Sequence, residues 1–170
     1  MVNNAATPYD AELTEKMTVW VERKFSGVYN LKPPAPFAAK LREIGASDLN
    51  GTKNAGIGEI FRPEGVDYVV YMELKPLTVH GHVAFFRYGK GVTADILLRM
   101  FDVAGGRYLY DAIVSQKAAK DEQSVFLDER IIALFSVNSK AIALDALDKS
   151  LFLAGEVISV KLPLDPRTIE

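Results

Sequence analysis

Apolar and polar positions alternate most clearly between Asp67 and Ala119. In Asp67–Lys75 (DYVVYMELK), Tyr68, Val70, Met72 and Leu74 form one apolar row, while Glu73 and Lys75 fall on the other. That period of two predicts a strand with one buried face and one half-aqueous face. Thr93–Phe101 repeats the pattern, with Ala94, Ile96, Leu98 and Met100 on one side and Thr93, Asp95, Leu97, Arg99 and Phe101 on the other. The run then passes Gly105-Gly106 into a third segment, RYLYDAIVS from Arg107, so an antiparallel sheet is expected at the heart of the domain. Val79–Tyr88 (VHGHVAFFRY) predicts a further strand, ended by Gly89-Lys90-Gly91.

Helical spacing brackets the sheet. Across Asp10–Phe25, Leu13, Met17, Trp20 and Val21 recur every three or four residues, with Asp10 as expected N-cap and Arg23 and Lys24 at the end. Val28–Leu31 predicts a short strand before Pro33, Pro34 and Pro36. A second helix is expected from about Pro36 to Ile44, stopped by Gly45, and a third around Lys53–Phe61, broken at Pro63 and Gly65. The longest helix is expected over Ser139–Leu162. Ser139 or Asn138 would cap it, Ile142, Ala146, Leu147, Leu151, Ala154, Val157 and Ile158 would form its buried stripe, and Pro163 would stop it. Asp121–Val137 carries no readable period.

At 170 residues, and with no internal repeat or linker, the chain fits a single domain over 1–170. The expected fold class is α+β, in two layers: a mixed, mainly antiparallel sheet with helices packed on one face. Cysteine is absent, which removes disulfides, thiol catalysis and thiolate metal sites. A net charge of −2 supplies no field for phosphate backbones, so nucleic acid is not an expected partner. Apolar runs such as Ile131–Phe135 are far shorter than the roughly 20 residues of a membrane span, so no membrane insertion is expected. Met1–Pro8 shows neither a basic nor an apolar signal region, which suits a chain whose export signal has been removed and equally a cytoplasmic start.

Candidate chemistry is sparse. His80 and His82 are the only histidines, and their spacing on a strand puts both on one face, as a metal site or base pair requires. No third ligand is identifiable, and exposed polar residues are the plainer reading. Gly56-Ile57-Gly58 and Gly89-Lys90-Gly91 lack the full phosphate-loop pattern and read as turns. No Gly-x-Ser-x-Gly elbow frames a serine. Asp95, Asp102 and Asp111 offer carboxylates, but Asp102 beside Gly105-Gly106 reads as a turn former with a local hydrogen bond. Tyr68, Tyr71, Tyr88, Tyr108 and Tyr110, with Phe85 and Phe86, read as core and cross-strand packing. Catalytic, cofactor and metal residues are therefore assigned as none. An exposed sheet face or strand edge remains as an interaction surface, and an apolar edge could pair with itself or be capped by 121–137.

Gly65-Val66-Asp67-Tyr68-Val69-Val70, Phe101-Asp102-Val103-Ala104-Gly105-Gly106 and the closing Leu162-Pro163 together resemble the amino-terminal domain of TolB and the related CsgG and LpoB-type envelope proteins. The resemblance implies that Val2-Asn3-Asn4 is the end of a first strand. It also implies a non-catalytic, exported bacterial envelope protein that acts through contacts with another envelope protein or with itself. The location would be periplasm or envelope if a signal was removed, and cytoplasm otherwise. The chain departs from these families in having no lipobox cysteine and no following propeller, so neither lipid anchoring nor a Tol partner follows. The alternative is a small metal-binding protein or enzyme using His80 and His82.

Overall fold

The computed structural model describes residues 1–49, 54–84, 87–123 and 139–162. In chain order the elements are β1 (Val2–Asn3), α1 (Asp10–Phe25), α2 (Ala35–Glu43), α3 (Asn54–Phe61) with a 3-10 turn at Arg62–Glu64, β2 (Tyr68–Leu74), β3 (Thr78–Ala84), β4 (Arg87–Asp102), β5 (Arg107–Gln123) and α4 (Ser139–Lys161).

Strand β4 is the spine of the sheet. All of it pairs antiparallel with β5, from Arg87↔Gln123 to Asp102↔Arg107. Its other edge is therefore shared: β3 takes the first half (Ala84↔Arg87 to Thr78↔Thr93) and β2 the second (Leu74↔Ile96 to Tyr68↔Asp102). β1 adds a parallel partner to β2 at Val2↔Glu73. The sheet is thus mixed and mainly antiparallel, as the alternation predicts, and the first strand implied by the family resemblance is present.

The even-numbered row of β4 faces the larger core. Val92, Ala94, Ile96, Leu98 and Met100 pack there with Met72 and Leu74 of β2, Val114 and Ala118 of β5, and Leu13 and Met17 of α1. Helix α4 covers them with a stripe rich in small residues: Ile142, Ala143, Ala146, Leu147, Ser150, Leu151, Ala154, Gly155 and Ile158 are buried. Small side chains let the helix approach closely, and the one polar member, Ser150, donates Oγ to the Ala94 carbonyl at 2.7 Å, so burial leaves it satisfied. Gly155 serves the α1 contact, because a Cβ there would lie 2.9 Å from Cζ2 of Trp20. The two long helices, α1 and α4, therefore pack on this one face along the sheet, and the fold class is α+β.

The odd-numbered row begins a second, smaller core at one end of the opposite face. Phe101 and Val103 meet Phe37 and Leu41 of α2, Ala46 and Leu49, and Ile57 and Phe61 of α3, with Val69, Tyr71 and Tyr108 at the margin. Phe37 and Phe61 stack with ring centroids 4.8 Å apart, and Phe101 meets Tyr108 edge-on at 5.2 Å. Gly45 and Gly65 take left-handed φ values of +66° and +63° where α2 and the 3-10 turn end, as their positions in the sequence predict.

Several local expectations differ from the structure. Val28–Leu31 forms no strand, because the Val28 and Tyr29 amides turn back to the Phe25 carbonyl. Asp10 is the first helical residue rather than the N-cap. Its carboxylate instead accepts the Thr7 amide at 2.8 Å and the Thr7 hydroxyl at 2.6 Å, fixing the approach to α1. Gly89-Lys90-Gly91 is not a turn but lies inside β4, opposite His82, Gly81 and His80. The Lys117 chain crosses Gly91: a Cβ there would sit 2.7 Å from Lys117 Cε, a contact that the flexible lysine end can relieve by shifting. Gly56 and Gly58 likewise lie within α3. Asn138, Pro163 and the unread part of 121–137 beyond Gln123 lie outside the described residues.

Candidate functional site

Where the α2–α3 cap ends, a belt of polar side chains crosses the odd-numbered face. Tyr71 and Glu73 project from alternate positions of β2, and Lys75 continues the row just past its end. Glu73 is only 8% exposed. Its Oε1 accepts Asn4 Nδ2 and Lys75 Nζ, both at 2.8 Å, and its Oε2 accepts the Tyr71 hydroxyl at 3.1 Å. Burial alone would raise the Glu73 pKa, but the donors from Lys75, Asn4 and Tyr71 outweigh it and hold the carboxyl below its ordinary range. Burial and the neighbouring Glu73 charge push the Tyr71 phenol up to about 12.

One row across the sheet, Tyr71↔Arg99↔Asp111 continues the belt. Arg99 donates Nε to Asp111 Oδ1 at 2.9 Å and Nη1 to the Asp48 carbonyl at 2.7 Å and carboxylate at 3.2 Å. Burial opposes the charge, yet the two carboxylates raise the Arg99 pKa, so the guanidinium stays ionised. Tyr108 donates to the Leu49 carbonyl, holding the buried Leu49 in a left-handed backbone conformation at φ +52°. The belt ties β1, β2, β4, β5 and the α2–α3 cap together. Arg99 and Glu73 carry no motif in sequence; the signal was the Tyr-x-Glu-x-Lys spacing on β2 and an arginine in an otherwise apolar strand.

Beyond the belt the odd-numbered face is uncovered by any described element. Ile113 stands 56% exposed on it, followed by Asp95 with its Ser115 partner and by Thr93 and Lys117. His80 is exposed on β3 and its Nε2 lies 3.0 Å from Thr93 Oγ1. His82 occupies the same strand opposite Gly89, and its side chain lies outside the described residues. Among the described residues no group of three His, Asp or Glu side chains comes together. The three candidate carboxylates are separate: Asp95 meets Ser115, Asp111 meets Arg99, and Asp102 accepts the Gly105 amide at 2.9 Å, the local turn bond its position predicts. Tyr68 and Tyr110 pack against the larger core and Tyr71 and Tyr108 against the smaller; the side chains of Phe85, Phe86 and Tyr88 lie outside the described residues.

The other candidate surface is an edge. Strand β5 is 17 residues long, and among the described residues it pairs only with β4. Its one irregularity falls at Leu109, where the register shifts between Met100 and Phe101, so from Tyr110 to Gln123 the strand is regular. On the helical side, Gln116 with Asp148, Lys149, Phe152 and Leu153 of α4 lines a shallow groove beside this edge, and Phe152 is 66% exposed. No described helix is long and apolar enough to cross a membrane.

No family model matches the chain, and neither does any curated protein. Among solved structures it is similar to a protein of Caulobacter crescentus CB15 described provisionally as a lipoprotein, at 13% identity over 92% of this chain and 89% of that one, with a TM-score of 0.38. It is similar to the hypothetical protein CT253 of Chlamydia trachomatis at 14% identity over 69% and 68%, TM-score 0.40. It is also similar to lipoprotein GNA1162 of Neisseria meningitidis at 18% identity over 84% and 92%, TM-score 0.35. Two of these three are thus described as bacterial lipoproteins, but likenesses this distant carry no functional argument.

Proposed function

We propose that the chain is a non-catalytic, exported envelope protein that works through protein contacts. The observation that carries the contact half of this reading is the long edge of β5, flanked by exposed Ile113 on one face and exposed Phe152 on the other. The polar belt supports it from the other direction. Glu73 has both oxygens engaged by donors and a lowered pKa, which makes it a poor proton acceptor near neutral pH, and Tyr71 is held protonated. Those groups brace the sheet.

The export half rests on the sequence resemblance. Two of its motifs frame the smaller core: Gly65 opens the approach to β2, and Phe101–Gly106 forms the end of β4 and the turn into β5. The test is cell fractionation of the native protein followed by crosslinking capture from envelope extract, beside a His80→Ala/His82→Ala variant. A specific envelope partner captured equally by both proteins supports the proposal. Residence in the cytosol sinks the export half. Bound metal lost in the double variant, with no partner captured, sinks the contact half and turns attention to the histidines.

A further inference from the structure

We propose that Val2–Thr7 is a strained strap: it closes the end of the outer β2 edge through side-chain hydrogen bonds, works against the backbone conformation of Ala6, and opens as a unit while the rest of the sheet stays folded. The proposal goes beyond the protein-contact reading above and does not depend on it.

At this edge the occupant is visible, because the chain's own N-terminal segment lies on it. Its hold is slight in apolar terms. β1 makes two parallel pairs, Val2↔Glu73 and Asn3↔Leu74, and of residues 1–8 only Ala5 is buried. Attachment therefore falls to polar groups. Asn3 donates Nδ2 to the Asp10 carbonyl at 2.8 Å and to Thr14 Oγ1 at 3.0 Å, and its Oδ1 accepts the Ala5 amide at 2.9 Å. Asn4 donates its amide to the Leu74 carbonyl at 2.9 Å and Nδ2 to Glu73 Oε1 at 2.8 Å. A segment held by few buried apolar contacts and by bonds that water can replace opens far more often than the whole domain unfolds.

Ala6 opposes closure. Its φ is +56°, the left-handed region in which a Cβ crowds the following carbonyl, and among the described residues only Leu49 shares that region without being a glycine. Leu49 is buried and held by the Tyr108 bond. Ala6 is exposed, and nothing but its neighbours fixes it: Asn4 is tied to β2 on one side, and Thr7 to the Asp10 carboxylate on the other. Release of either anchor lets Ala6 return to ordinary φ, which removes the reason for the other anchor to re-form alone. The bonds on both sides of Ala6 therefore break and form together, unlike a terminus that frays one residue at a time.

Glu73 joins the strap to the polar belt. The Oε1 that accepts Asn4 also accepts Lys75, and Oε2 accepts Tyr71. Opening bares the Leu74 carbonyl, the Asn4 side of this carboxylate and the place of Ala5 in the larger core.

The test is hydrogen exchange of the 170-residue chain, read amide by amide as protection relative to a free peptide. The amides of residues 4, 5 and 7 should share one protection level, at least about a hundredfold below that of the β4–β5 amides and clearly above that of the free peptide. Asn4→Ala removes the Glu73 bond but keeps the backbone amide, and should lower the protection of all three about tenfold. Ala6→Gly removes the strain and should raise it about threefold. The β4–β5 amides should be unchanged in both variants. Protection equal to that of β4–β5 overturns the proposal, because the segment would then open only with the whole domain, and so does the absence of protection, because it would never close. An Asn4→Ala effect confined to position 4 would mean residue-by-residue fraying, and Ala6→Gly protein with protection no higher than the wild type would mean that Ala6 stores no strain; either result also overturns it.

Discussion

The two faces of the sheet are built from adjacent residues of the same strands, yet they are stabilised differently. On the even-numbered face, β4 presents an apolar row from Val92 to Met100 to α1 and α4, and the buried hydroxyl of Ser150 is satisfied by the backbone. On the odd-numbered face, the apolar cover of α2 and α3 stops after one end of the sheet, and the belt of Tyr71, Glu73, Arg99 and Asp111 occupies its margin. The first face obtains its stability from area removed from water. The second ends that area with charges that have partners inside the protein, so the rest of the face can stay wet.

The sharpest way to break this contrast uses neighbouring leucines. Leu98 is fully buried beneath α4, whereas Leu97 is 9% exposed and, among the described residues, belongs to neither core cluster. Leu98→Ala should cost about 3–4 kcal/mol, the transfer term plus a cavity that α4 cannot collapse into, and Leu97→Ala about half as much. Urea unfolding of both variants reads the difference. Equal losses would mean that the odd-numbered face is covered as closely as the even one.

The seam between α1 and α4 is the next largest effect. Replacing a mid-helix glycine by alanine normally stabilises a helix by about 1 kcal/mol. At Gly155 the added methyl would meet Trp20, whose Cζ2 lies 2.9 Å from the Cβ position. Gly155→Ala should therefore destabilise the wild type by about 1 kcal/mol but stabilise a Trp20→Ala background by a similar amount. A double-mutant cycle in thermal unfolding measures the reversal. The same sign in both backgrounds would remove the close approach as the reason for the glycine.

These contrasts mark what could be read from the sequence. The alternation in β2 and in the Thr93–Phe101 part of β4 was legible because each segment has one wholly apolar row, and the stripe of α4 because its buried residues keep a helical period. The extension of β4 back to Arg87 was hidden by Gly89 and Gly91, since a glycine signals a turn unless one knows that Lys117 from the next strand lies across it. Val28–Leu31 looked extended from composition, and a backbone turn onto Phe25 decided otherwise. The polar belt was illegible because its partners come from sequence separations as large as that between Asn4 and Glu73. The smaller core was visible only as separate apolar positions in the α2 and α3 segments; which face they cover is a matter of tertiary packing.

The subtlest effect lies in the titration of the belt itself, at both ends of the pH scale. Glu73 has its folded pKa lowered beneath the ordinary 4.5, so its ionised form stabilises the fold above that pH and the contribution is lost as pH falls through the folded value. Glu73→Gln should cost about 0.5–1 kcal/mol at neutral pH, because one charged acceptor of three donors is replaced by a neutral one, and should flatten the loss of stability below pH 4.5. Tyr71 runs the other way. Its folded pKa is raised from 10 to about 12, so its protonated form stabilises the fold fully below pH 10, and that contribution disappears as pH rises towards 12. Tyr71→Phe, which leaves a partly buried ring and removes one of the Glu73 donors, should cost no more than about 1 kcal/mol near neutrality and should take one tyrosine out of the late phase of tyrosinate absorbance, to which the raised Tyr9, Tyr29 and Tyr108 also contribute. The two titrations are coupled through the Glu73 charge and one hydrogen bond, so Glu73→Gln should lower the Tyr71 transition while burial, the larger cause, keeps it above 10; a transition left near 12 would remove Glu73 as a cause of the shift.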